Sequence, residues 1–137
     1  MAARDPALAE AVATALLAVD GSLILFAPGG SALARAGEAI ELRVAREVFA
    51  DRNYLPDGAL VPRTRTDALL HDAEEAAERV LRMLRENVVR AVDGSDIAIQ
   101  ADTICVHGDT PEAVAFAKNL RVRLSAAGVA VAAPRIP

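Results

Sequence analysis

The sequence of 137 residues predicts an α/β fold in which parallel strands alternate with helices. Three observations lead to this prediction. Short, continuous apolar runs are typical of strands covered on both faces of a sheet. Helix-start and helix-stop signals flank the segments between these runs. The resulting order of elements implies right-handed crossovers and a parallel sheet, which we interpret as a single α/β domain spanning residues 1–137.

The helices are predicted from capping residues and from apolar side chains at helical spacing. Asp5, followed by Pro6, is a start signal for the first helix, and Ser31 is one for the second. Asp72 opens the third, in which the apolar positions repeat most regularly. The predicted helices cover residues 6–20, 32–40, 73–86 and 111–126.

The strands are predicted from the apolar runs between these helices. The run 97–106 is interrupted by polar residues at 100 and 102, so its strand is placed at 103–106. Residues 88–92 form a short extended piece before an Asp93-Gly94 turn. Residues 53–69 have no regular period and are predicted to form a long loop, which in compact domains is often functional. The predicted strands are 23–27, 44–49, 103–106 and 129–132.

Composition and charge argue against several classes of function. The net charge is −4 and aromatic residues make up 3% of the chain, so a nucleic-acid surface is not expected. Arginines alternate with glutamates around the third helix and are interpreted as a solvated helix face: Arg79, Arg82, Arg85 and Arg90.

Cellular location is inferred from the longest apolar run and from cysteine use. The run 11–19 is too short to span a bilayer, and no basic segment leading into an apolar one is present at the N-terminus. Cys105 is the one cysteine, which excludes an internal disulfide and a cysteine-rich zinc site. We therefore expect a cytoplasmic protein that does not contact a membrane.

Polar residues follow three of the predicted strands. Pro28-Gly29-Gly30-Ser31 follows the first strand, Glu47 with Asp51-Arg52 marks the end of the second, and His107-Gly108-Asp109 follows the third. Ligands bind at the carboxyl ends of parallel strands, where loops and helix N-termini converge. The three segments together therefore predict a site at this edge of the sheet.

Each of these segments also has a structural interpretation. Gly29-Gly30-Ser31 is either a tight turn with a capping serine or a phosphate cradle. Asp51-Arg52 is either an ion pair at a strand end or a clamp for a substrate carboxylate. His107 is either a hydrogen-bonded core residue or a catalytic group that Asp109 orients. Cys105 is interpreted as a small packed side chain and His71 as a surface residue.

Four segments carry a resemblance to a known family. They read EVFADRNY at 47–54, DGALVPR at 57–63, DAEEAAERVLRM at 72–83 and AVDGSDIAIQADTICVHGDTPEAVAFAKNLR at 91–121. In wording, order and spacing they resemble the LamB/YcsF family of 5-oxoprolinase A subunits. The words F-A-D-R and C-V-H-G-D, taken together, are specific to this family.

The resemblance implies a β/α barrel of the glycoside hydrolase/deacetylase type. It implies ATP-dependent hydrolysis of the lactam of 5-oxo-L-proline to L-glutamate, with 5-oxoprolinase subunits B and C as partners, ATP as the cofactor and a divalent metal as a further candidate. By match to the family words, the catalytic candidates are His107, Asp109 and Asp51, and the substrate-binding candidates are Arg52, Arg63 and Glu47.

Family members are roughly twice as long as this chain, which resembles their C-terminal half. A half barrel has two open sheet edges, so the resemblance implies an oligomer or a complement to a separate N-terminal half. The alternative hypothesis is a truncated, non-catalytic α/β module that self-associates or binds a partner.

Overall fold

The computed structural model describes residues 1–108 and 113–134, which form two compact units. The first unit contains residues 1–48, 101–103 and 134, and the second contains residues 49–100 and, within 104–133, the described residues. The prediction of one domain stays a prediction, and the two units are described separately.

The order of elements confirms an α/β fold in which parallel strands alternate with helices. Strand β1 pairs with β2 in parallel, from Ile24 opposite Arg43 to Pro28 opposite Glu47, and the sheet order is β1-β2-β5. A separate two-stranded sheet pairs β3 with β4 in the antiparallel sense. The elements are α1 (Pro6–Val19), β1 (Ile24–Pro28), α2 (Ala32–Ala39), β2 (Arg43–Phe49), α3 (Ala73–Glu86), β3 (Val88–Arg90), β4 (Asp96–Ala98), β5 (Thr103–Cys105) and α4 (Ala113–Ala126).

The first unit is built on capped helices against a short strand pair. The Asp5 carboxylate accepts the Leu8 N–H at 3.1 Å, and the Ser31 hydroxyl oxygen accepts the Ala34 N–H at 3.1 Å. The second contact confirms the capping interpretation of Ser31. Helices α1 and α2 pack together, and the core of the unit consists of Leu25, Ala27, Ala34 and Val44.

The second unit is built on the packing of α3 against α4. Asp72 caps α3 by accepting the N–H groups of Glu74 and Glu75, and Asn87, with φ of +55°, ends the helix in the left-handed region. The buried core consists of Ala50, Ala76, Ala77, Val80, Leu81, Phe116, Leu120 and Leu124.

In the described part of the chain, no helix is both long and apolar enough to cross a membrane.

The predicted strand at 129–132 is wrong. After α4, Gly128 takes a φ of +79°, and the Val129 N–H donates back to the Leu124 carbonyl at 2.9 Å. Val129 then packs against the core formed by α3 and α4, so its apolar character serves packing rather than strand pairing. The Asp93-Gly94 turn is confirmed, but the strand that follows it, β4, is not in the sequence prediction.

We expect Gly37→Ala to destabilise the protein, although alanine normally favours a helix over glycine by about 1 kcal/mol. A Cβ on Gly37 would lie 2.7 Å from Leu25 Cδ2 and 2.9 Å from Val44 Cγ2, closer than packed carbons approach. The expected loss is about 1–3 kcal/mol in the free energy of unfolding, measured by urea titration.

Gly108→Ala is the matched control, because a Cβ at that position would meet nothing within 4 Å. Its expected effect lies within about 0.5 kcal/mol. A stabilised Gly37→Ala variant would contradict the close approach of α2 to β1 and β2.

Candidate functional site

Asp51 and His107 are in direct contact in the second unit. Asp51 follows β2, and His107 follows β5. The backbone N–H of His107 donates to Asp51 Oδ2 at 3.0 Å, and imidazole Nδ1 lies 2.9 Å from Oδ2 and 3.0 Å from Oδ1. The structure therefore brings two of the predicted catalytic residues together.

The Asp51 carboxylate determines which nitrogen of His107 is available. An ionised carboxylate only accepts hydrogen bonds, so Nδ1 of the neutral ring carries the proton and Nε2 carries the lone pair. The side chains of His107 and Asp51 are 25% and 14% exposed, which keeps the pair partly shielded while leaving access to solvent. This arrangement is suited to general acid–base chemistry at Nε2.

Phe49 stacks on the imidazole, and Tyr54 holds the backbone of Phe49. The rings of Phe49 and His107 are stacked, with centroids 5.8 Å apart and an interplanar angle of 14°. The hydroxyl oxygen of Tyr54 accepts the backbone N–H of Phe49 at 2.9 Å, and Tyr54 is 3% exposed. Burial raises the pKa of Tyr54 to about 12, so its hydroxyl stays protonated at neutral pH.

The side chain of Arg52 points into the interior of the protein. It is 7% exposed, its Nη2 donates to the Val61 carbonyl at 2.7 Å, and its Nε lies 3.4 Å from the Ala68 carbonyl oxygen. These contacts give Arg52 a structural role in the segment that follows β2. Its predicted contact with a substrate carboxylate stays a prediction.

The predicted loop 53–69 is closed by short-range pairing. Isolated bridges join Arg52 with Leu69 and Tyr54 with Leu60. Near the C-terminal end of the loop, Arg65 forms a bidentate ion pair with Asp67. Its Nη2 lies 2.6 Å from Oδ2, and its Nε lies 2.9 Å from Oδ1. The loop therefore has internal order despite its lack of regular elements.

The remaining predicted site residues are Arg63, Glu47 and Asp109. Arg63 is an exposed residue of the loop, and Glu47 is a partly buried residue of β2 in the first unit. Asp109 lies outside the described residues. Their assignments stay predictions, as does the divalent metal: within residues 1–108 and 113–134, no group of three His, Cys, Asp or Glu side chains converges.

Sequence reasoning missed Arg79, and its placement on a solvated helix face is wrong. Arg79 is partly buried, and its guanidinium bonds to Ala50 and Asn53 on either side of Asp51. The signal was in the helical spacing, because Ala76 and Met83, at positions i−3 and i+4, are both fully buried. An arginine between two such positions points toward the core side of its helix.

Comparisons with known proteins agree with the resemblance seen in the sequence. The model of the LamB/YcsF family matches residues 1–136. The 5-oxoprolinase A subunit of Oceanobacillus iheyensis is 50% identical over 131 residues, which are 96% of this chain and 51% of that protein. The protein of the same name from Geobacillus kaustophilus is 53% identical over 135 residues, 98% of this chain and 53% of that protein.

A solved structure agrees as well. The lactam utilization protein from Thermus thermophilus matches with a TM-score of 0.85 at 41% identity, over 95% of this chain and 51% of that one. The chain thus spans about half the length of the relatives it matches.

The buried state of Tyr54 is open to direct titration, because Tyr54 is the one tyrosine of the sequence and no tryptophan is present. We expect tyrosinate absorbance of the folded protein to rise with a midpoint near pH 12, against about 10 in denaturant, because burial disfavours the phenolate.

The raised pKa also makes stability depend on pH. The folded protein holds the phenolic proton more tightly than the unfolded chain, so this contribution is fully present below pH 10 and is lost as the pH rises toward 12. The contribution of Tyr54 ionisation to the free energy of unfolding that is lost over this pH range is roughly 2–3 kcal/mol. Tyr54→Phe serves as the control, since it removes both the absorbance change and this part of the pH dependence. A folded-state midpoint near 10 would contradict the burial of the hydroxyl.

Proposed function

The chain belongs to the LamB/YcsF family, and from this membership we propose that it supplies part of an ATP-dependent 5-oxoprolinase. The proposed reaction is hydrolysis of the lactam of 5-oxo-L-proline to L-glutamate. The names of its relatives support this reaction, and the Asp51–His107 contact is the observation in this chain that carries it. Because the relatives are about twice as long, the proposal includes a complementing N-terminal half. Subunits B and C are proposed as further partners.

The chemistry of a lactam explains why ATP would be needed. Amide resonance makes the carbonyl carbon a poor electrophile, and transfer of the γ-phosphoryl group of ATP to the lactam oxygen turns that oxygen into a leaving group. That transfer releases ADP. Water then adds to the carbonyl carbon, and the ring C–N bond breaks as the nitrogen takes up a proton, which leaves an acyl phosphate. A second water attacks this acyl group, its bond to the phosphate oxygen breaks, and glutamate and phosphate are released. We assign ATP to the assembled enzyme, and because the reaction consumes ATP we expect that enzyme in the cytoplasm.

His107 is proposed as the general base for the attacking water. Its Nδ1 is held by Asp51, which leaves Nε2 to accept the proton. The Asp51 carboxylate then stabilises the imidazolium that forms, because the two groups remain in contact. Asp109 is proposed as a second proton-transfer group.

Charge recognition is proposed for the remaining candidates. Arg63, on the exposed part of the loop, would bind the carboxylate of 5-oxoproline or a phosphate, since a guanidinium pairs with both through two N–H groups. Arg52 and Glu47 are kept as substrate-binding candidates. A divalent metal stays a candidate for the assembled enzyme, since among the described residues no three side chains able to hold one converge.

A second candidate function is a non-catalytic module that binds a partner or a second copy. Strand β1 lies at one end of the sheet order, and Phe26, in the middle of it, is 47% exposed. An exposed aromatic side chain on a terminal strand favours association with another chain. Sedimentation at micromolar concentration separates the two cases, since a monomer that is active only with its partners supports the enzyme and a stable inactive dimer supports the module.

We expect His107→Ala to lower ATP-dependent glutamate release by about 10²–10⁴-fold. The assay mixes this chain with subunits B and C and with the N-terminal half of a relative such as the Geobacillus kaustophilus protein. Asp51→Asn removes the charged acceptor of Nδ1–H and is expected to lower the rate as well.

The double variant is expected to be no slower than His107→Ala, because residues that act as a unit are not additive. His71→Ala is the matched control, since His71 is exposed and precedes α3. A wild-type rate for His107→Ala would remove His107 from the mechanism.

A further inference from the structure

Arg79 connects α3 to the segment that carries Asp51. Its Nη2 donates to the carbonyl of Ala50 at 2.7 Å, and its Nη1 donates to Oδ1 of Asn53 at 2.6 Å. These two acceptors lie on either side of Asp51 in the sequence. One guanidinium therefore fixes the backbone before Asp51 and a side chain after it, using two donors in a rigid planar fork.

The same segment is fixed by backbone bonds on its other sides. The Ala50 N–H donates to the Cys105 carbonyl at 3.0 Å, and the Leu70 N–H donates to the Asp51 carbonyl at 2.9 Å. Asn53 is held by the returning loop, since its N–H donates to the Ala68 carbonyl at 3.0 Å. The side chain of Asp51 is thus free to face His107 while its backbone is held.

Holding Arg79 in this place is costly. Its Nε is buried and has no hydrogen-bond partner among the described residues, and burial lowers the pKa of its guanidinium. An arginine needed only for solubility would extend into water, as long charged side chains on helices normally do. The cost indicates that the two bonds on either side of Asp51 have a specific use.

We propose that Arg79 is a positioning residue for the Asp51–His107 pair. By holding the Ala50 carbonyl and the Asn53 amide, it sets the direction in which the Asp51 carboxylate leaves the backbone, and so keeps that carboxylate against Nδ1 of His107. No hydrogen bond from Arg79 to the imidazole is involved; Arg79 acts through the Ala50 carbonyl, which precedes Asp51, and through the Asn53 side chain, which follows it.

The consequence is a defined tautomer of His107. In water a neutral histidine prefers the proton on Nε2, whereas the Asp51 contact holds it on Nδ1. If the carboxylate is displaced, the ring returns toward the Nε2–H form, in which the lone pair faces the wrong way. That the Nδ1–H tautomer serves catalysis rests on the proposed function, whereas the tautomer itself follows from the contact with Asp51.

The test is the tautomer of His107, measured by ¹⁵N NMR of the imidazole nitrogens at a pH where the ring is neutral. The chain has two histidines, and His71→Gln assigns the spectrum. We expect the Nδ1–H form to predominate in the unsubstituted chain and to become the minor form in Arg79→Met. A wholly structural role for Arg79 would lower stability without changing the tautomer of the folded state.

Arg82→Met is the matched control. Arg82 lies on the same helix and pairs with Asp96 and Glu86, away from the segment 50–53, so its loss removes similar bonds without touching that segment. The Nδ1–H form is expected to persist in this variant. Circular dichroism verifies that each variant is folded.

Arg79→Gln is a second test variant, for use if Arg79→Met does not fold. A glutamine stays polar in the partly buried position but is too short to reach both acceptors. A shift of the folded Gln variant toward Nε2–H supports the proposal. An unchanged tautomer in either folded variant overturns it.

Activity of the assembled enzyme gives an independent readout. We expect Arg79→Gln to lower kcat for glutamate release by about 10²-fold with little change in KM for 5-oxoproline, because the displaced group orients a base and does not bind substrate. If the unsubstituted chain releases no glutamate, the proposed function fails while the NMR result still decides the role of Arg79. A normal kcat alongside a shifted tautomer would overturn the catalytic consequence alone.

Discussion

The carboxylate of Asp51 accepts two hydrogen bonds from His107, one from its backbone N–H and one from its ring, and the geometry of the site depends on both. The bond from the backbone N–H of His107 fixes where the chain lies as it leaves β5, and the bond from the ring fixes how the imidazole is turned. One acidic side chain thereby sets both position and orientation. Because Ala50 and Cys105 are joined by a backbone hydrogen bond one or two residues earlier, the geometry of the pair follows from that of the strands.

The regular elements were predictable where local signals agreed. Helix α3 begins and ends where the sequence indicates, because Asp72 caps it and its apolar positions repeat without interruption. The failures occurred in short segments. The three residues of β4 are too few to show a period. After α4, Val129 packs on the core without strand pairing, and Val131 is exposed.

The candidate site was predictable only in part. Asp51 and His107 were identifiable because each follows a strand, and residues in that position meet at one edge of a parallel sheet. The roles of Arg52 and Arg79 were not, because their acceptors include the backbone carbonyls of Val61, Ala68 and Ala50, and a carbonyl leaves no mark in the sequence. Helical spacing indicates that Arg79 faces the core side of α3, but the carbonyl that accepts its hydrogen bond is visible only in the folded chain.

The turn at residues 55–59 has a practical consequence for anyone modifying this chain. The Leu55 N–H donates to the Ala59 carbonyl at 2.7 Å, so the ends of the turn are joined, while Pro56, Asp57 and Gly58 between them are exposed. The entropy of closing a loop grows only slowly with its length, so extra residues at such a tip cost little. This turn is therefore a natural place to insert a short epitope or peptide tag, since the added chain would lengthen a turn whose base is already closed.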